Sequence, residues 1–200
     1  MDFLAVLDYE HLDNGMFLTT FAKTLSKKNK RGIIIHGESE YTERIIQTGV
    51  MRDEATIRSI KDLNHRLVAL FADEGVSTIA LNGYQKSTIK YKNGELIIDT
   101  GYLANLPEQP MILLSSLAED AGSGKPVNIP LPLLAGSLKH AFEIPKITIF
   151  SKKENVEIFS EKLPDNTIIT KENEDFVDIH IPKSFRNFDQ PVNISSPSSF

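Results

Sequence analysis

Over residues 1–150, short apolar runs alternate with stretches whose apolar positions recur at helical spacing, the rhythm of βαβ units around a mainly parallel sheet. Phe3 to Leu7 predicts a first strand. After the turn Asp13-Asn14-Gly15, Phe17, Leu18, Phe21 and Leu25 lie on one helical face, and Lys27, Lys28, Lys30 and Arg31 suit the negative end of that helix's dipole. Gly32 restarts the chain as the strand Ile33 to Ile35, which runs into His36, Gly37, Glu38 and Ser39. Asp53 predicts the N-cap of a long helix reaching about Phe71, with Ile57, Ile60, Leu63, Leu67, Val68 and Phe71 on one face and Gly75 closing it. Val76 to Leu81 reads as a strand. Ile89-Lys90-Tyr91 and Leu96-Ile97-Ile98 flank Asn93-Gly94, a strong hairpin signal, and all these pieces are expected in one connected layer.

Met111 to Leu114 and Lys146 to Phe150 are all-apolar enough to be central parallel strands, separated by a helix near Leu133 to Phe142. Beyond Ser151 the pattern changes. Asn166 to Thr170 and Phe176 to Ile181 alternate like two strands around Lys171-Glu172-Asn173-Glu174, and Pro191 to Phe200 has the composition of a loose tail. The expected organisation is an α/β domain over 1–150, a β-rich extension over 151–186 and a flexible tail over 187–200.

Composition narrows the function classes. The chain has 200 residues, 40% hydrophobic and 24% charged, with a net charge of −5 from interspersed acids and bases. No basic stripe is present, which argues against sequence-independent nucleic-acid binding. With no cysteine, a disulfide framework, a thiolate metal site and a cysteine nucleophile are excluded. No segment approaches the ~20 apolar residues of a membrane-spanning helix, and the start carries no secretory pattern. A cytoplasmic protein without membrane or nucleic-acid partners is expected.

Several residues carry candidate chemistry, each with a plainer reading beside it. His36 and Glu38 could form a metal or acid/base pair, but the five histidines show no ligand-like spacing, so no metal is expected. Ser39 reads as a helix N-cap rather than a nucleophile, because Glu40 and Glu43 follow it. Asp8, Glu10 and His11 follow the first strand, where ligands of open α/β sheets bind, and read either as a new acidic site or as a solvated loop. Gly122-Ser123-Gly124-Lys125 lacks the Walker spacing and reads as a flexible loop. Arg44, Arg52, Arg58 and Arg66 are solvent-facing or, for one of them, paired with a carboxylate ligand.

The stretch from Ile33 to Gly83 resembles the amino-acid kinase family, and within it the acetylglutamate kinase branch. The matching pieces, in order, are His36-Gly37, Gly49, Asp53-Glu54-Ala55-Thr56, Leu63-Asn64-His65 and Ala80-Leu81-Asn82-Gly83. A looser match over residues 3 to 150 adds Val6, Ser115-Ser116-Leu117-Ala118 and Asn128-Ile129. The resemblance implies a three-layer α/β sandwich with a mainly parallel central sheet and a shortened C-terminal, nucleotide-binding part. It implies a homodimer, transfer of the ATP γ-phosphoryl group to a carboxylate, and His36, Gly37, Glu38, Arg52, Asn64 and Asn128 as ligand-binding positions for an amino-acid derivative.

The departures fall on the transfer machinery. Where the family carries Lys-x-Gly-Gly this chain has Asp8-Tyr9-Glu10-His11, and Pro132 stands where the family places an Asp that organises catalytic lysines. Phosphoryl transfer is mostly positioning and charge neutralisation. Like charges about 4 Å apart at a surface-like dielectric repel by ~4 kcal/mol, or about three powers of ten in affinity. Val50-Met51 occupies the place of the substrate-binding Arg, with Arg52 one step out of register. The expectation is a catalytically impaired binding, regulatory or scaffold protein that needs no cofactor. The alternative is an active divergent kinase using Mg-ATP, with Arg52, Lys125 or Lys146 replacing the lost cations.

Overall fold

The computed structural model describes residues 1–28, 30–153, 163, 166–168 and 170–200. In chain order the elements are β1 (Phe3–Leu7), α1 (Tyr9–Leu12), α2 (Gly15–Leu25), β2 (Gly32–His36), α3 (Tyr41–Gln47), α4 (Arg52–Asp73) and β3 (Thr78–Asn82). Next come β4 (Ile89–Lys92), β5 (Glu95–Ile98), α5 (Thr100–Ala104), β6 (Met111–Ser115), β7 (Leu117–Asp120) and β8 (Pro126–Asn128). The chain finishes with α6 (Leu131–Ala141), β9 (Ile147–Phe150), α7 (Glu174–His180) and β10 (Val192–Ser195).

Six strands form the central sheet in the order β10-β9-β1-β2-β6-β3, every pair parallel. Strands buried on both faces need no polar alternation, which is why β1, β2, β6 and β9 read as continuous apolar runs. On one face, Ala5, Leu7, Ile34 and Leu113 pack with Phe17 and Phe21 of α2 and Leu67 and Phe71 of α4. On the other, Val6, Ile35, Leu114 and Ile149 pack with Leu131, Leu134 and Leu138 of α6. The sheet between two helical coverings is the expected three-layer α/β sandwich.

Local signals explain the elements and their limits. Asn14 caps α2 by accepting the Phe17 amide at 3.0 Å. The long helix α4 starts earlier than expected: Met51 is its N-cap, and Asp53 and Glu54 sit in the first turn as dipole-complementing acids. Gly75, at φ +78°, ends it by taking a left-handed conformation. Ser39 precedes α3 and accepts the Tyr41 amide at 3.2 Å, while Glu40 is the N-cap.

The structure differs from the sequence expectation in three places. The Asn93-Gly94 hairpin forms, with φ of 51° and 89°, but β4 and β5 belong to a separate four-stranded sheet, order β5-β4-β7-β8. The short strands β7 and β8 carry too few residues to leave a periodic signal. Phe176 to Ile181 is mostly the helix α7, because Val177 and His180 turn inward three residues apart while Glu174 and Asp175 fill the first turn. The expected partner strand at 166–170 includes residue 169, outside the described residues; Thr167 makes an isolated antiparallel bridge to Val192. The stretch expected to be a loose tail contains β10, an edge strand whose Val192 and Ile194 are buried. Among the described residues no helix is long and apolar enough to cross a membrane.

Candidate functional site

Parallel register aligns the strand ends. Leu7 lies opposite His36, and His36 and Asn82 both lie opposite Ser115, so the residues that follow β1, β2, β6 and β9 emerge on one edge of the sheet. They line a cavity of about 700 Å³, in the crevice where open α/β sheets bind ligands. Asp8, Glu10, Glu38, Lys152 and Lys183 are charged residues of its lining, and Ile129 with Leu131 gives an apolar wall. A hollow of about 400 Å³ adjoins it, lined by Glu38, Arg52, Thr56 and Asn128 among others.

Asp8 is only 5% exposed. Its Oδ1 accepts the Tyr9 amide at 2.7 Å and its Oδ2 accepts the Ser184 hydroxyl. Burial pushes its carboxyl above the ordinary range against the pull of these two donors. Glu10 accepts the Lys183 amide at 3.4 Å, and Glu38 accepts the Thr56 hydroxyl at 3.5 Å. The Lys152 ammonium donates to the Asp178 carbonyl in the last turn of α7. Burial, then the charges of Glu40, Glu43 and Glu38, raises the Tyr9 phenol, a second sign of a negative field on this rim.

The structure brings Asp8, Glu10, Gly37, Glu38 and Asn128 to the large cavity, and Glu38, Arg52 and Asn128 to the smaller hollow. Asn128 Oδ1 accepts the Ser116 hydroxyl at 2.7 Å, tying β8 to the end of β6. A Cβ on Gly37 would stand 3.3 Å from Leu131, so the second half of the His-Gly pair keeps the backbone close to α6. Arg52 pairs with Glu43 through two bonds of 3.0 and 3.3 Å at an exposed position.

Other expected site residues lie elsewhere. His36 and Asn64, read as ligand-binding, are buried beneath the rim rather than on it. Asn64 donates to Leu81 O at 3.2 Å and Asn82 Oδ1 at 3.4 Å, bracing α4 against β3. Burial lowers the His36 pKa to about 4, partly offset by the Gly37 carbonyl and the Asn64 side chain, so the ring is neutral near pH 7. His11, grouped with Asp8 and Glu10, turns inward: its ring lies 4.5 Å from Phe17 and its Nε2 is 3.0 Å from Ser151 O. Pro132 is the second residue of α6, where its missing amide hydrogen costs the helix nothing.

Lys146 precedes β9 and therefore sits at the opposite end of the sheet from the cavity, and Lys125 lines neither hollow. Lys152 reaches the cavity because it follows β9, whereas Lys183 and Ser184 were not legible as lining residues, because only the packing of the C-terminal segment against the end of β1 brings them there. Among the described residues no three His, Asp or Glu side chains are grouped to hold a metal ion.

No protein-family model matches the chain, and no curated protein matches it in sequence. Solved structures match its fold. The isopentenyl phosphate kinase of T. acidophilum, in a product complex, aligns with a TM-score of 0.60 at 10% identity over 99% of this chain and 92% of that one. A Streptococcus mutans UA159 protein gives 0.64 at 14% identity over 91% and 85%. N-acetylglutamate synthase from Neisseria gonorrhoeae, complexed with coenzyme A and N-acetyl-glutamate, gives 0.63 at 16% identity over 98% of this chain and 54% of that one. At such identities the likeness is one of fold, and the fold of this chain is that of the amino-acid kinases and their structural relatives.

Proposed function

We propose that this chain is an acetylglutamate kinase-like small-molecule-binding protein, impaired in phosphoryl transfer, that serves a regulatory or scaffold role. The observation that carries the reading is Asp8. It occupies the carboxyl end of β1 in the wall of the large cavity, with Glu10 and Glu38 in the same wall. A transferring phosphoryl group needs converging cations and amide donors, and three acids at the strand ends oppose it. The ligand we assign is an amino-acid derivative held across Asn128 and the rim of Gly37 and Glu38. A cytoplasmic homodimer acting without a cofactor completes the proposal.

One observation favours a second reading. Lys152 and Lys183 line the same cavity and would supply two cations to an active divergent kinase. There a carboxylate oxygen of an N-acyl amino acid such as N-acetylglutamate would attack the γ-phosphorus of Mg-ATP, and the bond to the leaving ADP oxygen would break. Incubation with γ-labelled ATP and N-acetylglutamate separates the two readings. The first expects no labelled acyl phosphate. Labelled product that is lost in both Lys152→Ala and Lys183→Ala would establish the second.

A further inference from the structure

We infer that Asn93, at the tip of the hairpin between β4 and β5, is a site of spontaneous covalent modification, where the Gly94 backbone nitrogen closes on the side-chain carboxamide and converts Asn93 to aspartyl and isoaspartyl forms. The inference stands on the hairpin alone and is independent of what the cavity binds.

The sequence contains the pair Asn-Gly three times, at 14–15, 82–83 and 93–94, so the local chemistry is shared and the fold decides which pair reacts. Asn14 is the N-cap of α2: its Oδ1 accepts the Phe17 amide at 3.0 Å and its carbonyl accepts the Leu18 amide at 3.0 Å. Asn82 pairs with Ser115 in the central sheet. Its Oδ1 accepts the Ser115 hydroxyl at 2.8 Å and the Asn64 amide at 3.4 Å, and Gly83 beside it is buried. Asn93 and Gly94 are both exposed, and no hydrogen bond to another described residue holds the Asn93 carboxamide. A Cβ at Gly94 would meet nothing within 4 Å, so the surroundings of the turn are open.

In the reaction the Gly94 nitrogen loses its proton and bonds to Asn93 Cγ, the bond from Cγ to the side-chain nitrogen breaks, and ammonia leaves. Water then opens the resulting cyclic imide at either carbonyl, so one water is consumed and one ammonia released. Bringing the nitrogen over Cγ requires the turn to leave its folded conformation, with φ of 51° and 89°. At the hairpin tip this releases only the last pairing of the ladder, Lys92 with Glu95, whereas Asn14 would give up a helix cap and Asn82 a pairing of the central sheet. Such local openings at mobile tips cost far less than openings of the core. A two-residue turn with left-handed backbone at both positions has no room for the extra backbone carbon of an isoaspartyl residue, so the product keeps the tip open.

Incubation of the full chain in mildly alkaline buffer, followed by digestion and mass spectrometry of the three Asn-Gly peptides, tests this, with a parallel sample held in concentrated urea. In the folded chain Asn93 is expected to convert at least about tenfold faster than Asn14 and Asn82, a ratio equal to about 1.4 kcal/mol. In urea the three rates are expected to converge. The product carries one more negative charge than the parent's −5 and separates on anion exchange. Equal rates at the three sites of the folded chain, faster conversion at Asn14 or Asn82, conversion of Asn93 confined to urea, or a ratio that persists undiminished in urea overturns the inference.

Discussion

Ser184 donates its hydroxyl to Asp8 Oδ2 across 176 positions of sequence, joining the C-terminal segment to the end of the first strand. The contact places a neutral donor on a carboxylate that burial has already raised, and it makes the last part of the chain a wall of the cavity. Ser184→Ala leaves one oxygen of a nearly buried acceptor unsatisfied. We expect a loss of about 1–3 kcal/mol in urea unfolding at pH 7, and a further rise of the Asp8 pKa by carboxyl NMR.

The raised Asp8 pKa has a defined sign in stability. The folded state holds the proton over a pH range in which the unfolded chain has lost it, so stability falls as pH rises from the unfolded value of 3.8 to the raised folded value. Asp8→Asn removes that penalty. The variant is expected to melt above the parent at pH 7, and the gap is expected to close below the ordinary carboxylate range; a gap independent of pH would contradict the assignment.

His36 acts in the opposite direction. Its folded pKa of about 4 lies below the ordinary histidine value of 6.5, so its contribution is complete above 6.5 and is lost as pH falls toward 4. The difference corresponds to ~3 kcal/mol at the acid end. Acid unfolding of the parent should steepen between these values, and His36→Asn should flatten the slope even where its overall stability is lower.

Two packing positions give sharper tests. A Cβ at Gly83 would stand 2.7 Å from the Leu117 carbonyl, a backbone atom that has little room to give, so Gly83→Ala is expected to cost about 1–3 kcal/mol. Ile194, 2% exposed on the edge strand β10, anchors the C-terminal stretch. Ile194→Ala is expected to cost about 2–5 kcal/mol in chemical denaturation, whereas a loose tail would tolerate the change.

The uneven legibility of the sequence has physical causes. Doubly buried parallel strands announce themselves, and Phe3–Leu7, Gly32–His36 and Met111–Ser115 stand close to where their apolar runs predict. Val192–Ser195 hides because its two apolar residues alternate with one asparagine and one serine and run into a serine- and proline-rich end, so it resembles a tail until β9 pairs with it. The lining of the cavity was readable where residues follow strands directly, as at Asp8 and Glu38. It could not be read at Lys183 and Ser184, whose places depend on long-range packing, nor could the sequence tell that His36 and Asn64 are buried, with Asn64 bracing α4 against β3.

The central claim is that acids at the strand ends exclude the phosphates of a nucleotide. Isothermal titration of the full chain with Mg-ATP tests it most directly. The account predicts no saturable heat; saturable binding in the micromolar range, abolished by Lys152→Ala and Lys183→Ala, would contradict it.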